Sequence, residues 1–124
     1  MKRLLQILLM AALAACLTPA HAHGGAKAKY GGTLASANDL AFELVATAEG
    51  ATLYVEDHGK PLATTGMSGK LTVLTGAEKK EAELKPTEAN KLAATGIKLA
   101  SGAKVVATLT DANKKATTVR FVIK

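Results

Sequence analysis

Apolar and polar positions alternate with a period of two over most of this 124-residue chain, and that alternation predicts strands almost throughout. Across residues 39–47, Leu40, Phe42, Leu44 and Ala46 share one face, while Asp39, Glu43 and Thr47 alternate with them. Across residues 51–57, Ala51, Leu53 and Val55 lie on one side and Thr52, Tyr54 and Glu56 on the other. Leu71 and Val73 point inward in 70–75, as do Ala82 and Leu84 in 81–85. Leu92, Ala94, Ile97 and Leu99 continue the alternation, with a bend or bulge at Gly96. Val105, Ala107 and Leu109 form a further inward set, and Val119, Phe121 and Ile123 close the chain.

Turn signals fall between these runs: Glu49-Gly50, His58-Gly59-Lys60-Pro61, Gly66 to Gly69, Thr75-Gly76, Lys85-Pro86, Ser101-Gly102 and Asp111-Ala112-Asn113. About seven to nine short strands at this spacing predict an all-β fold, an immunoglobulin-like antiparallel β-sandwich. Residues 78–84 contain good helix formers, but the apolar-charged alternation of 81–85 favours a strand there. The predicted core is thin. It is built from Ala, Val and Leu, with Phe42 and Phe121 as its largest members.

The first residues follow another pattern. Lys2 and Arg3 precede an apolar run over 4–13 that is too short to cross a bilayer, which takes ~20 residues. Pro19 and then Ala20-His21-Ala22 complete a secretory signal with cleavage before His23. The expected organisation is a signal peptide over 1–22, a flexible tail over 23–31 and one β domain over 32–124. Leu13-Ala14-Ala15-Cys16 also reads as a lipoprotein box, in which Cys16 is acylated and anchors the protein to the outer membrane. Both routes place the domain in the periplasm, with no transmembrane segment left after processing.

Charge excludes one class of partner. The whole chain carries 16 basic and 10 acidic residues; without Lys2 and Arg3 the balance is 14 to 10, and Arg120 is the only Arg of that remainder. Nucleic-acid recognition favours Arg forks and aromatic stacking platforms, and the chain is poor in both. The Lys residues read as a solvated surface, with a weak attraction to anionic lipid or polymer as the second reading.

The body carries a resemblance. Tyr30-Gly31-Gly32-Thr33-Leu34, residues 37–46 and Leu53-Tyr54-Val55-Glu56-Asp57-His58-Gly59-Lys60-Pro61 resemble small exported proteins of Gram-negative bacteria. They are also similar to the N-terminal extension of periplasmic adaptor subunits of heavy-metal efflux pumps. The resemblance extends through Gly66-Met67-Ser68-Gly69-Lys70 and the closing Thr118-Val119-Arg120-Phe121. It implies a periplasmic β domain associated with metal handling, with an efflux-pump component as partner. It supplies no catalytic residue, and the adaptor's long helical hairpin is missing from this chain.

The candidate chemistry is sparse. After position 22 the chain holds two His, His23 and His58, one Met and no Cys, whereas a closed metal site takes three or four ligands. With cleavage before His23, its α-amine and imidazole form a nitrogen clamp suited to Cu(II). His58, with Asp57 or Glu56 as an oxygen partner, is the second candidate, although Asp57-His58-Gly59-Lys60-Pro61 also reads as an ordinary polar turn. Were residues 61–64 a strand at ~3.3 Å per residue, Met67 would sit ~15 Å from His58, at the opposite end of the fold. No base is oriented by a third group, no apolar pocket raises a carboxylate pKa, and no phosphate loop precedes a helix, so the inventory speaks against an enzyme. Two classes remain: a metal-handling accessory, with copper as the expected cargo, and a metal-independent envelope interaction module.

Overall fold

The computed structural model describes residues 27–124, so the signal over 1–22, Cys16 and His23 lie outside the described residues. Among the described residues nine strands follow one another without a helix: β1 Thr33–Ala37, β2 Leu40–Ala46, β3 Gly50–Asp57, β4 Lys60–Pro61, β5 Ser68–Thr75, β6 Glu78–Pro86, β7 Lys91–Thr95, β8 Lys104–Thr110 and β9 Ala116–Val122. Every pairing is antiparallel, in the order β1-β2-β3-β7-β6-β5-β8-β9, with β4 beside the end of β3. The fold is therefore an all-β antiparallel sheet, curled nearly into a barrel. β6 makes the curl: it pairs with β5 from Glu78 to Leu84 and then with β7 through Lys85 and Pro86. At the other extreme β1 and β9 meet side by side, and the Asn38 amide bridges them by donating to Thr117 Oγ1 at 3.0 Å.

The alternation fills the interior as its period requires. Phe42, Leu44, Leu53, Val55, Leu71, Leu84, Leu92, Val105, Val119 and Phe121 are buried in one continuous cluster. Close approach explains the small residues within it. A Cβ at Gly50 would stand 2.1 Å from the Ala94 carbonyl oxygen, so β3 and β7 can touch there only through glycine. Residues 78–84 form a strand, because Ala82 and Leu84 bury themselves with a period of two.

Three details depart from the expected turns. Lys85-Pro86 ends β6 instead of turning; pairing with β5 stops at Leu84, so Pro86 stands where β6 is paired on one side only, as on an edge strand, and the turn follows over 87–90 with Ala89 at φ 51°. The alternation beyond Ala94 leaves the sheet at Gly96 (φ 76°), and Ile97 and Leu99 become part of a loop that packs on the core. After Pro61 the chain does not run on as a strand. It doubles back, with Thr64 N–H donating to the Ala89 carbonyl and Met67 N–H to the Thr64 carbonyl. Met67 consequently lies at the same end as His58, beside Leu40, whose β3 partner is Asp57.

Candidate functional site

β3 and β4 are joined by His58 and Gly59 alone, at φ 49° and 80°. Positive φ at both central residues is the two-residue hairpin turn whose twist matches the flanking strands. His is among the few side chains that tolerate this region, and Gly59 occupies the second position without steric cost. The turn holds His58 clear of the sheet. Its side chain is 83% exposed, and its Nδ1 lies 2.5 Å from Asp57 Oδ1. Asp57 and His58 thus meet as hydrogen-bond partners. With Asp57 accepting from Nδ1–H, the ring turns its Nε2 lone pair outward, the arrangement by which carboxylates orient metal-binding imidazoles.

Met67 shares this end of the barrel but faces inward. It lines a cavity of about 50 Å³ with Leu40, Phe42, Val55 and Leu62, so it packs in the core and does not stand opposite His58. Among the described residues no group of three His, Cys, Asp or Glu side chains converges on one point.

A second cluster went unnoticed in the pattern of the sequence. Glu43 lies on the outer face of β2 and is only 4% exposed, because residues 29–32 cross over it. Its carboxylate accepts the backbone N–H groups of Lys29, Tyr30 and Gly32 at 2.7, 2.8 and 2.9 Å. Tyr30 stacks on Tyr54 with ring centroids 3.8 Å apart and planes at 9°. The Lys29 ammonium pairs with Glu56 at 2.7 Å, and that hydrogen bond holds the ammonium above the ordinary lysine range. This contribution is complete at neutral pH and is lost as the pH rises through the raised pKa. The end of the expected tail is therefore strapped to the sheet, and the strap reaches Glu56, two residues before His58.

Buried polar side chains fix the turn region from the other side. Thr64 is fully buried and donates its hydroxyl to the Lys91 carbonyl at 2.8 Å, with the Ala89 carbonyl at 3.2 Å. Asn90 donates its amide to the Val55 carbonyl at 3.0 Å, and Val55 N–H returns a bond to the Asn90 carbonyl. These contacts hold the end of β3, from which the His58 turn projects, against the connections on either side of it.

No family model matches the chain, and no curated protein or solved structure is significantly similar to it. Among the described residues no helix is long and apolar enough to cross a membrane.

Proposed function

We propose that this chain is an exported, non-enzymatic accessory protein of periplasmic heavy-metal handling, with copper as its cargo and an efflux-pump component as its partner. The observation that supports this reading is the Asp57–His58 pair, an exposed imidazole oriented by a carboxylate on a short, well-braced turn. In the proposal His58 Nε2 is the ligand, and Asp57 is the residue that orients it. The second nitrogen donor is His23, through its α-amine and imidazole after cleavage of the signal. The strap favours this pairing. Lys29 is anchored at Glu56, and the six residues back to His23 span at most ~20 Å when extended. A site of this kind is open and exchangeable, which suits a carrier better than a structural cofactor. Within this reading β1-β2-β3-β7 and β5-β8-β9 are the two layers of an immunoglobulin-like sandwich, with β6 as the corner.

Calorimetric titration of the exported protein with Cu(II) tests the proposal, and intact mass shows where the mature chain begins. A chain starting at His23 should bind Cu(II), with binding weakened by His58→Asn and by N-terminal extension. Because both imidazoles must be deprotonated, acidification should weaken it too. Absence of binding at micromolar concentration would overturn the metal reading in favour of the interaction module, and an acylated Cys16 would remove the amine clamp.

A further inference from the structure

The outer face of β5, β8 and β9 differs from the rest of the surface. β8 and β9 contain no acidic residue, and their outward positions include Lys104 and Arg120. Neither has a carboxylate within ion-pair distance among the described residues, whereas Lys70, Lys79, Lys80 and Lys85 on β5 and β6 all do. Register places the apolar members of this face beside the cations. Leu74, Lys104 and Val122 form one row across the three strands, and Thr72, Val106 and Arg120 form the next. At ~4.8 Å between strands each row is ~10 Å wide. Leu74 and Val122 are 38% and 62% exposed, so an aliphatic side chain flanks Lys104 on either side.

We propose that this face docks on an anionic lipid surface, with Lys104 and Arg120 meeting the headgroup phosphates and Leu74 and Val122 entering the interfacial layer. Complementary charge is the first argument, since two cations unopposed by any carboxylate on their own strands face outward together. The form of the face is the second. β5 and β8 are interior strands paired on both sides, and the outer edge of β9, which is hydrogen-bonded to β8 alone, lies beside β1, so little open edge is left for adding a partner strand. β5, β8 and β9 present no outward aromatic anchor, and protein interfaces concentrate their binding energy in buried Trp, Tyr and Arg. A lipid surface needs neither, because charge and shallow apolar insertion suffice.

Co-sedimentation of the exported protein with vesicles of phosphatidylcholine alone, or mixed with phosphatidylglycerol, tests the proposal. Each basic residue near an anionic bilayer contributes ~1 kcal/mol, or about fivefold in affinity. Arg120→Gln and Lys104→Gln should each weaken binding to the anionic vesicles about fivefold, and Arg120→Glu about 25-fold. Arg120→Lys should retain binding, Val122→Ser should weaken it at constant charge, and added salt should weaken it further. Lys60→Glu alters net charge as much as Arg120→Glu but lies on β4, so it should leave binding unchanged. Equal binding to both vesicle types, or equal loss with Lys60→Glu, would overturn the proposal. So would Arg120-dependent binding to soluble polyglutamate as tight as to vesicles and indifferent to Val122→Ser, which would assign the face to an acidic polypeptide. All substituted positions are exposed, and thermal unfolding of each variant confirms that the fold is kept.

Discussion

The bond between Glu43 and the strap can be taken apart one acceptor at a time. Lys29 N–H donates to Oε1, while Tyr30 N–H and Gly32 N–H share Oε2. Glu43→Gln can place its carbonyl at the shared position and keep two neutral bonds, but its amide then confronts Lys29 N–H with a donor. Glu43→Ala removes both acceptor oxygens and with them all three bonds. Hydrogen bonds to a charged group are worth ~2 kcal/mol each, so the carboxylate supplies ~6 kcal/mol to the docked strap. The tyrosine stack adds ~1 kcal/mol. Against this stands the ordering of four residues at ~1.5 kcal/mol each, about 6 kcal/mol. The strap is therefore held by ~1 kcal/mol net.

That balance predicts saturation. Once the strap lifts, its N–H groups return to water, and further damage to the contact costs nothing more. Both variants should lose ~1 kcal/mol in denaturant unfolding, and Glu43→Ala should be little worse than Glu43→Gln. Amide hydrogen exchange should show protection lost at Lys29, Tyr30 and Gly32 in both, with the protection of β3 and β8 reduced only by the small global change. Persisting protection at those three amides in Glu43→Ala would refute the assignment of Glu43 as the holder. A loss above ~5 kcal/mol would show instead that the strap belongs to the cooperative core.

Other expectations follow from the core and the turn. Phe42→Ala empties a site that is 1% exposed and should cost ~3–5 kcal/mol, close to the whole stability of a marginal domain, as read by denaturant titration. Gly50→Ala drives a methyl group against the Ala94 carbonyl, which cannot rotate away, and should cost at least ~2 kcal/mol in the same assay. Asn90→Ala removes one of the two bonds to the Val55 carbonyl, which keeps the Leu62 N–H, and should cost ~0.5–1.5 kcal/mol in denaturant unfolding. His58→Val should destabilise the hairpin by ~1–2 kcal/mol because a β-branched residue is strained at φ 49°, while His58→Asn should leave thermal unfolding unchanged.

The period-two pattern made the strands legible because each inward residue had the same task, burial against the opposite wall. Leu53, Leu71, Val105 and Phe121 all appear where the alternation puts them. The pattern is blind to the path between strands. Nothing in Pro61-Leu62-Ala63-Thr64 reveals that the Thr64 hydroxyl will bond to carbonyls beyond β6, so the reversal that brings Met67 to the His58 end stayed hidden. The role of Glu43 was not legible for a related reason. A carboxylate on the outward face of a strand reads as solvated unless another segment covers it, and the cover comes from residues 29–32, which have no periodicity of their own. Of the candidate site, the His58-Gly59 turn was readable from its residue types. The tautomer-setting contact with Asp57 was not, because alternation sends neighbouring side chains to opposite faces until a turn intervenes.

The strap and the bare basic face are linked by charge. The outer surface of β2 and β3 carries Glu43 and Glu56, and both are consumed by the strap, one by three amides and one by Lys29. On β6, Glu81 lies between Lys70 and Lys79, whose hydrogen bonds hold its carboxyl below the ordinary range. The acidic residues of these three strands are therefore mostly hydrogen-bonded or ion-paired where they stand, and among the described residues the cations of β8 and β9 have no such partners. Releasing the strap would restore two carboxylates to the β2–β3 surface without changing the β8–β9 face. The positive potential there is thus set by the register of two strands and is independent of whether the strap is docked.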